Sequence, residues 1–255
     1  MPKPPQQSTH CAAADRSRRV PAVRGARTAQ IYRVILEAIV EHRLPPGSKL
    51  TEESLGEIFG VSRTIVRSAL EALAHGQIVA LTANRGAFVA APSVVEARDV
   101  FSGRKLVEPA IARDVARTIA PPQVAALRAL LREECTAMAD NDRAVAIRLS
   151  GDFHVAVAML RGDGVVPTFL KSLVSRTSLV IALYGRGAAS TCGHDEHVEF
   201  VAALASHDGE RAAALMIDHL DHIFSDLDLR ARDDRPVDAS EVLRASVGRL
   251  DPAYA

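Results

Sequence analysis

Three histidines, His154, His197 and His219, have the types and surroundings that ask for chemistry in this 255-residue chain. Each falls on the apolar side of a helical period. His154 lies among Ile147, Val157 and Ala158, His197 among Val201 and Leu204, and His219 among Ala212, Leu215, Met216 and Ile223. Three separate helices therefore aim one imidazole each at a shared interior. Leaving each ring without a partner costs about 1–3 kcal/mol. A shared divalent cation removes that cost, and imidazole suits zinc, nickel or iron. The residues alone leave two readings open, a metal centre and satisfied core histidines, and they weigh toward the second.

A second set is cationic. Arg63, Thr64 and Arg67 fall at roughly 0°, 100° and 40° around one helix, a single exposed arc opposite Ile65, Val66, Ala69, Leu70 and Leu73. Arginine can grip guanine O6 and N7 with two hydrogen bonds, and a hydroxyl can meet a base or a phosphate. Arg85 stands at the tip of a predicted hairpin, placed for a neighbouring groove or phosphate. Arg104 and Arg176 are the candidates for holding a carboxylate inside the helical half. For Arg104 the competing role is an i,i+4 pair with Glu108. Cys192 and His194 read as residues preceding a helix and serving its cap, and His222 as a residue at the cavity edge or in solvent.

The elements that position these groups follow from periodicity and breakers. Residues 1–27 carry Pro2, Pro4, Pro5, Pro21 and five arginines without an apolar period, which predicts a disordered basic arm. A helix runs from Thr28 to before Pro45-Pro46-Gly47. Thr51 caps a short second helix that Gly60 stops, and Ser62 caps a third that ends at His75-Gly76. Gln77 to Leu81 and Ala87 to Ala91 predict two strands joined as a hairpin, closed by Pro92. About six helices fill 94–229, punctuated at Pro121-Pro122, Asp140-Asn141-Asp142, Gly162-Asp163-Gly164 and Asp208-Gly209. The fold expected is mainly α: a winged helix-turn-helix at 28–92 and an all-α bundle at 93–230. A polar, frayed tail follows at 231–255.

Composition narrows the class. The chain has 31 basic and 31 acidic residues, but residues 1–92 carry 12 basic against 7 acidic and the remainder the opposite excess. A front half that meets an anion fits this split. No run of about 18 apolar residues is evident, which argues against a membrane span. The start lacks the apolar centre of a secretory signal, so a cytoplasmic protein is expected. Three cysteines without a CxxC pair argue against a zinc knuckle or disulfide framework. Aromatics at 4% with no Trp argue against base-stacking on single strands.

The run from Leu50 through Phe59-Gly60-Val61-Ser62-Arg63-Thr64 to Leu73, followed by Arg85-Gly-Ala-Phe-Val89, resembles the winged helix-turn-helix of GntR-family transcriptional regulators. The remainder resembles the FCD effector domain of the FadR-like branch. It is similar at Arg104-x-x-x-Glu108, Asp152-Phe-His154, Glu196-His197 and Asp218-His219-Leu220. The resemblance implies Ser62, Arg63, Thr64 and Arg67 as DNA contacts, with Gly86 at the wing near the backbone. Glu53 stands where many relatives place a DNA-touching arginine. It also implies a divalent metal, zinc or nickel first, on an Asp four residues before the first of three His. Here that position is Ser150, which leaves His154, His197 and His219, with water, Ser150 or an effector carboxylate completing the set. A homodimer on a pseudo-palindromic duplex operator and a small carboxylate effector complete the expectation of a ligand-responsive repressor rather than an enzyme. The alternatives are a three-His metal-dependent enzyme and a sequence-tolerant nucleoid-binding protein.

Overall fold

The computed structural model describes residues 25–83, 85–186, 192–230 and 239–247. Most of the basic arm therefore lies outside the described residues. Helix α1 (Ala26–Val40) buries Thr28, Ile31, Val34, Ile35, Ala38 and Ile39, the i, i+3, i+4, i+7 stripe of an amphipathic helix. Helix α2 (Glu52–Phe59) starts at Thr51, whose hydroxyl accepts a hydrogen bond from the Ser54 N–H at 3.2 Å. It stops at Gly60, whose left-handed φ of 61° suits a residue without a Cβ. Helix α3 (Arg63–His75) buries Val66, Ala69, Leu70 and Leu73 against α1 and α2. Ser62 occupies its N-cap position, but its hydroxyl makes no capping bond, which corrects the cap assigned from sequence.

The sheet is antiparallel with order β1 (Lys49–Leu50), β3 (Gly86–Val89), β2 (Val79–Thr82). The hairpin strands β2 and β3 pair Val79 with Val89 and Thr82 with Gly86. A third strand, β1, pairs Leu50 with Ala87. Two residues are too few to show alternation, so sequence periodicity misses it.

Six helices follow: α4 (Val94–Thr118), α5 (Pro121–Ala139), α6 (Arg143–Met159), α7 (Val165–Tyr184), α8 (Cys192–Ala205) and α9 (Gly209–Ser225). A capping box opens α4, with Ser93 Oγ accepting from Glu96 N–H and Glu96 accepting from Ser93 N–H. Asp142 and Asp208 cap α6 and α9 one-sidedly, their carboxylates accepting from the Val145 and Arg211 N–H groups. In the bundle α4 packs on α9 and α7, α5 on α6 and α8, α6 on α7, and α8 on α9. Helix α7 is long and apolar enough by composition to cross a membrane, although Lys171 and Arg176 interrupt its apolar run. It lies within the bundle, where Leu170, Leu173, Val174, Leu179, Val180 and Leu183 are buried.

The tail departs from expectation. Residues Ala239–Val247 form α10, which packs on α1, α2 and β1. Its Leu243 is 1% exposed and joins the core of the front module. Ser246, one turn on, accepts a hydrogen bond from Arg43. A polar tail reading fails at this stretch because Ala239, Leu243 and Ser246 share one helical face and find a partner. The rest of the tail assigned to 231–255 lies outside the described residues.

Candidate metal centre and nucleic-acid interface

The exposed arc of α3 carries Arg63, Thr64 and Arg67 together, with Ser62 exposed at its start. Arg85 and Gly86 are exposed at the hairpin, and Gly86 has φ 96°, a conformation that favours glycine. The Arg85 guanidinium lies over the Phe88 ring at 5.8 Å. Two carboxylates of α2 face the arc. Arg67 donates through Nε and Nη2 to Glu52 at 2.8 Å each, and Arg63 Nη2 donates to Glu53 at 3.1 Å. Glu53, set where an arginine was expected by resemblance, is thus a partner of α3.

The second constellation lies inside the bundle. His154 from α6, His197 from α8 and His219 from α9 are all buried. His219 Nε2 stands 3.2 Å from His197 Nε2 and 3.3 Å from His154 Nε2. The opposite nitrogen of each ring faces a carboxylate. His154 Nδ1 meets Glu108 at 2.6 Å, His219 Nδ1 meets Glu196 at 2.6 Å, and His197 Nδ1 meets Glu134 at 3.4 Å. An ionised carboxylate only accepts, so it assigns the proton to Nδ1. Three Nε2 lone pairs are then left converging on one point.

Electrostatics agree with that assignment. Burial pushes His154 down to about 3, with Glu108 opposing and Arg104 reinforcing the shift. Burial likewise pushes His219 down to about 4, against the hydrogen bond to Glu196. Both rings are neutral near pH 7. Burial alone would raise Glu108, but Arg104 and His154 outweigh it and hold the carboxyl well below its usual range. Glu196 falls to about 2 because its hydrogen bonds to His219 and His222 outweigh burial. Neutral imidazoles backed by anionic carboxylates are the usual arrangement behind a bound divalent ion. Tetrahedral ligands at about 2.0–2.1 Å would be spaced about 3.3 Å apart, which the two Nε2 separations match. The donor set fits a metal.

A cavity of about 380 Å³ opens beside the triad, lined by His154, His219, Arg104, Ser150, Thr177 and Ser178 among others. Arg104 is buried and does two things at once: Nε donates to Glu108 at 2.6 Å and Nη1 to Thr177 Oγ1 at 3.3 Å. Its Nη2 is buried and has no hydrogen-bond partner among the described residues. Ser150 lines the cavity one turn before His154. Arg176 does not join them, which corrects its assignment as an effector ligand. The cavity stripe of α7 is Val174, Thr177, Ser178 and Ile181, and Arg176 faces Glu96 at 3.9 Å instead. Asp152 points away from the triad and pairs with Arg148 at 3.0 Å.

The model of bacterial regulatory proteins of the gntR family matches residues 27–89, and the FCD domain model matches residues 99–222. Between them they cover well over half of the chain. It is a GntR-family regulator with an FCD domain. The HTH-type transcriptional repressor RspR of Escherichia coli (strain K12) is 27% identical to this regulator over 199 residues, spanning 76% of this chain and 86% of that protein. The Nta operon transcriptional regulator of Aminobacter aminovorans is 22% identical, spanning 74% and 88%. Two solved structures share the fold: E. coli McbR/YncC, with TM-score 0.72, 19% identity and coverage of 79% and 96%, and a GntR regulator from Rhodococcus sp. RHA1, with TM-score 0.69, 22% identity and coverage of 89% and 100%. The family and these relatives are transcription regulators, not enzymes, and none supports a metal-dependent enzyme or a nucleoid binder.

Sequence reasoning misses part of this regulator's site. Glu134 lies on α5, a helix without histidine, and gives no signal. Glu196 precedes His197 directly, and Glu108 was visible only as a partner of Arg104. His194 sits inside α8, not before it, with its Nδ1 3.4 Å from Glu134.

Proposed function

We propose that this regulator is a homodimeric repressor whose DNA binding is controlled by a small carboxylate held at a metal-bearing cavity. The carrying observation is the buried Nη2 of Arg104, without a hydrogen-bond partner among the described residues, in the same cavity wall as His154 and His219. A buried guanidinium N–H without an acceptor is costly, and a ligand carboxylate supplies one. A divalent ion on His154, His197 and His219 would add a Lewis-acidic point for a second oxygen of the same ligand. Glu108, Glu134 and Glu196 hold the three rings in the required tautomer. Arg104 takes one carboxylate oxygen, and Ser150 offers a hydroxyl at the cavity wall. With Ser150 at the place where the resemblance implies Asp, the ion's fourth position is left to that ligand or to water.

The reading of Ser62, Arg63, Thr64, Arg67, Arg85 and Gly86 as the DNA surface rests on their exposure and on the helix-turn-helix around them. One recognition helix reads few base pairs, which supports two copies on a pseudo-palindromic site. Leu106 of α4 and Val165 and Phe169 of α7 are exposed apolar side chains of the kind a second copy would cover. DNA as partner places the protein in the cytoplasm. Repression follows the names of its relatives, and an effector relieves it only by binding the two states unequally. The test takes duplex selected from a randomised pool by the zinc-loaded protein, then adds a panel of small carboxylates. Release of DNA by at least one is expected, with the response lost in Arg104→Lys, which keeps the charge but not the fork. Arg104→Lys responding like wild type would overturn the reading.

A further inference from the structure

We propose that the α2 carboxylates Glu52 and Glu53 are the specificity element of the DNA surface, Glu52 by fixing the edge that Arg67 offers to a base and Glu53 by rejecting DNA that offers phosphate alone. This rests on the reading of Arg63 and Arg67 as DNA contacts.

The hydrogen bonds decide the two roles. A guanidinium has five N–H donors in a rigid fork. Glu52 takes the side-on edge of Arg67, one donor from Nε and one from Nη2. What remains is the end-on edge, Nη1 and the second Nη2 hydrogen, the pair that matches guanine O6 and N7. An unbuttressed arginine at an exposed helix position explores many rotamers, and holding it beforehand lowers the ordering cost on binding. Glu52 can hold it because Thr51 caps α2 and puts Glu52 in the first turn, where its charge also suits the helix dipole. The hydrogen bonds from Arg67 hold the Glu52 carboxyl below its ordinary range, so it stays anionic.

Glu53 is different. It meets Arg63 through a single 3.1 Å contact, with both side chains about two-thirds or more exposed. Such a pair adds little stability. Its charge, however, sits beside the arc that must approach the duplex, where a carboxylate opposes phosphate. Sequence-independent affinity comes almost wholly from phosphate contacts. Arg63 must therefore find a partner better than Glu53 before binding is favourable, and a correctly placed base is such a partner. The two carboxylates convert a basic face into one that demands a particular sequence.

The experiment uses the full chain and two probes: duplex selected from a randomised pool by the wild-type protein, and unselected random duplex. Glu52→Gln is expected to lower the ratio of selected to random affinity about tenfold. Glu53→Gln is expected to raise random-duplex affinity about two- to fivefold. It should also steepen the log–log salt dependence by up to about 0.9. Glu52→Asp keeps the charge and shortens the reach, so discrimination falls while random-duplex affinity stays at the wild-type value. Both glutamates are on the surface and glutamine has the same shape, and unchanged melting temperatures check that the fold is retained. Arg67→Ala separates the levels. If it loses the selected sequence while Glu52→Gln keeps the wild-type ratio, Arg67 reads DNA without help and the Glu52 role is wrong. If Arg67→Ala leaves the selected sequence unchanged, the DNA surface itself is misassigned and this inference falls with it. Wild-type random-duplex affinity and salt slope in Glu53→Gln would overturn the Glu53 role.

Discussion

Removing His219 tests the metal centre most directly, because its Nε2 stands within 3.3 Å of both other Nε2 atoms. A ligand that binds only the folded protein stabilises it by RT ln(1 + [L]/Kd), about 2.7 kcal/mol at a hundredfold excess over Kd. For a chain of this size each kcal/mol moves Tm by about 2–4 °C. Zinc at that excess should therefore raise the wild-type Tm by about 5–10 °C, read by differential scanning fluorimetry at pH 7.5. His219→Ala leaves two convergent donors, and its gain should fall to about a degree. The comparison is made within each protein, with and without zinc, so the cost of the buried truncation cancels. Glu196→Gln keeps all three ligands and changes only the group behind His219 Nδ1. Losing such a partner typically weakens a metal by 10–100-fold. At the same zinc concentration the stabilisation then falls to about 0.4–1.4 kcal/mol, and the Tm gain to about 1–5 °C. A wild-type protein with no gain from zinc or nickel, or His219→Ala with the full gain, would refute the reasoning and leave three core histidines.

Other outcomes follow from the same contacts. Arg104→Met strands Glu108 as a buried charge with only His154 beside it, so urea unfolding should show a loss of about 3–5 kcal/mol, mostly recovered in Arg104→Met/Glu108→Gln; an Arg104→Met midpoint like wild type would refute the pairing. His42, whose Nε2 lies 2.9 Å from the Ser178 carbonyl, is pushed down to about 4 by burial, against that hydrogen bond and with Arg143 reinforcing the shift. Its folded pKa lies below the unfolded value of about 6.5, so its share of stability is present above pH 6.5 and lost as pH falls toward 4. His42→Gln should lose less stability than wild type between pH 6.5 and 4.5, and parallel urea midpoints would contradict this. Leu243→Ala should cost about 2–5 kcal/mol, whereas an unchanged unfolding curve would return residues 239–247 to a frayed tail.

The front module was legible because most of its signals agree: a 3.6 period on α1 and α3, Thr51 before α2, Gly60 after it, and a Gly-containing turn between two short strands. The histidines were legible as faces, since each lies on the apolar side of its helix. Their carboxylate partners were not, because Glu108, Glu134 and Glu196 come from three helices and only the bundle packing brings them behind the rings. Arg176 shows the same limit. The second half of helix α7 is buried on most sides, with Thr177, Ser178, Leu179 and Val180 consecutive in the core, so periodicity does not say which side faces the cavity, and a lone arginine among apolar residues suggests the inside when it faces Glu96 instead. Helix α10 was missed because nine residues with three buried positions give a short amphipathic signal inside a polar stretch, and its partner surface lies about 200 residues away in the chain.

What binds the two halves is also a matter of packing that no local pattern reports. The turn after α1 carries Glu41, His42 and Arg43, and each contacts a different element: Arg148 of α6, the Ser178 carbonyl of α7, and Ser246 of α10. Ser178 lines the cavity beside the histidines while its carbonyl accepts from His42, so one residue belongs both to the wall of the cavity and to the seat of the DNA-binding module. His42 has a left-handed φ of 56°, a conformation a bulky side chain adopts only when its surroundings require it. A cavity wall that moves on ligand binding must carry this seat with it or break the hydrogen bond. Contact alone is not coupling; coupling needs two arrangements that the ligand and the DNA favour unequally. The release of DNA by a carboxylate, and its loss in Arg104→Lys, measures that difference at the cavity end of the same α7 contact.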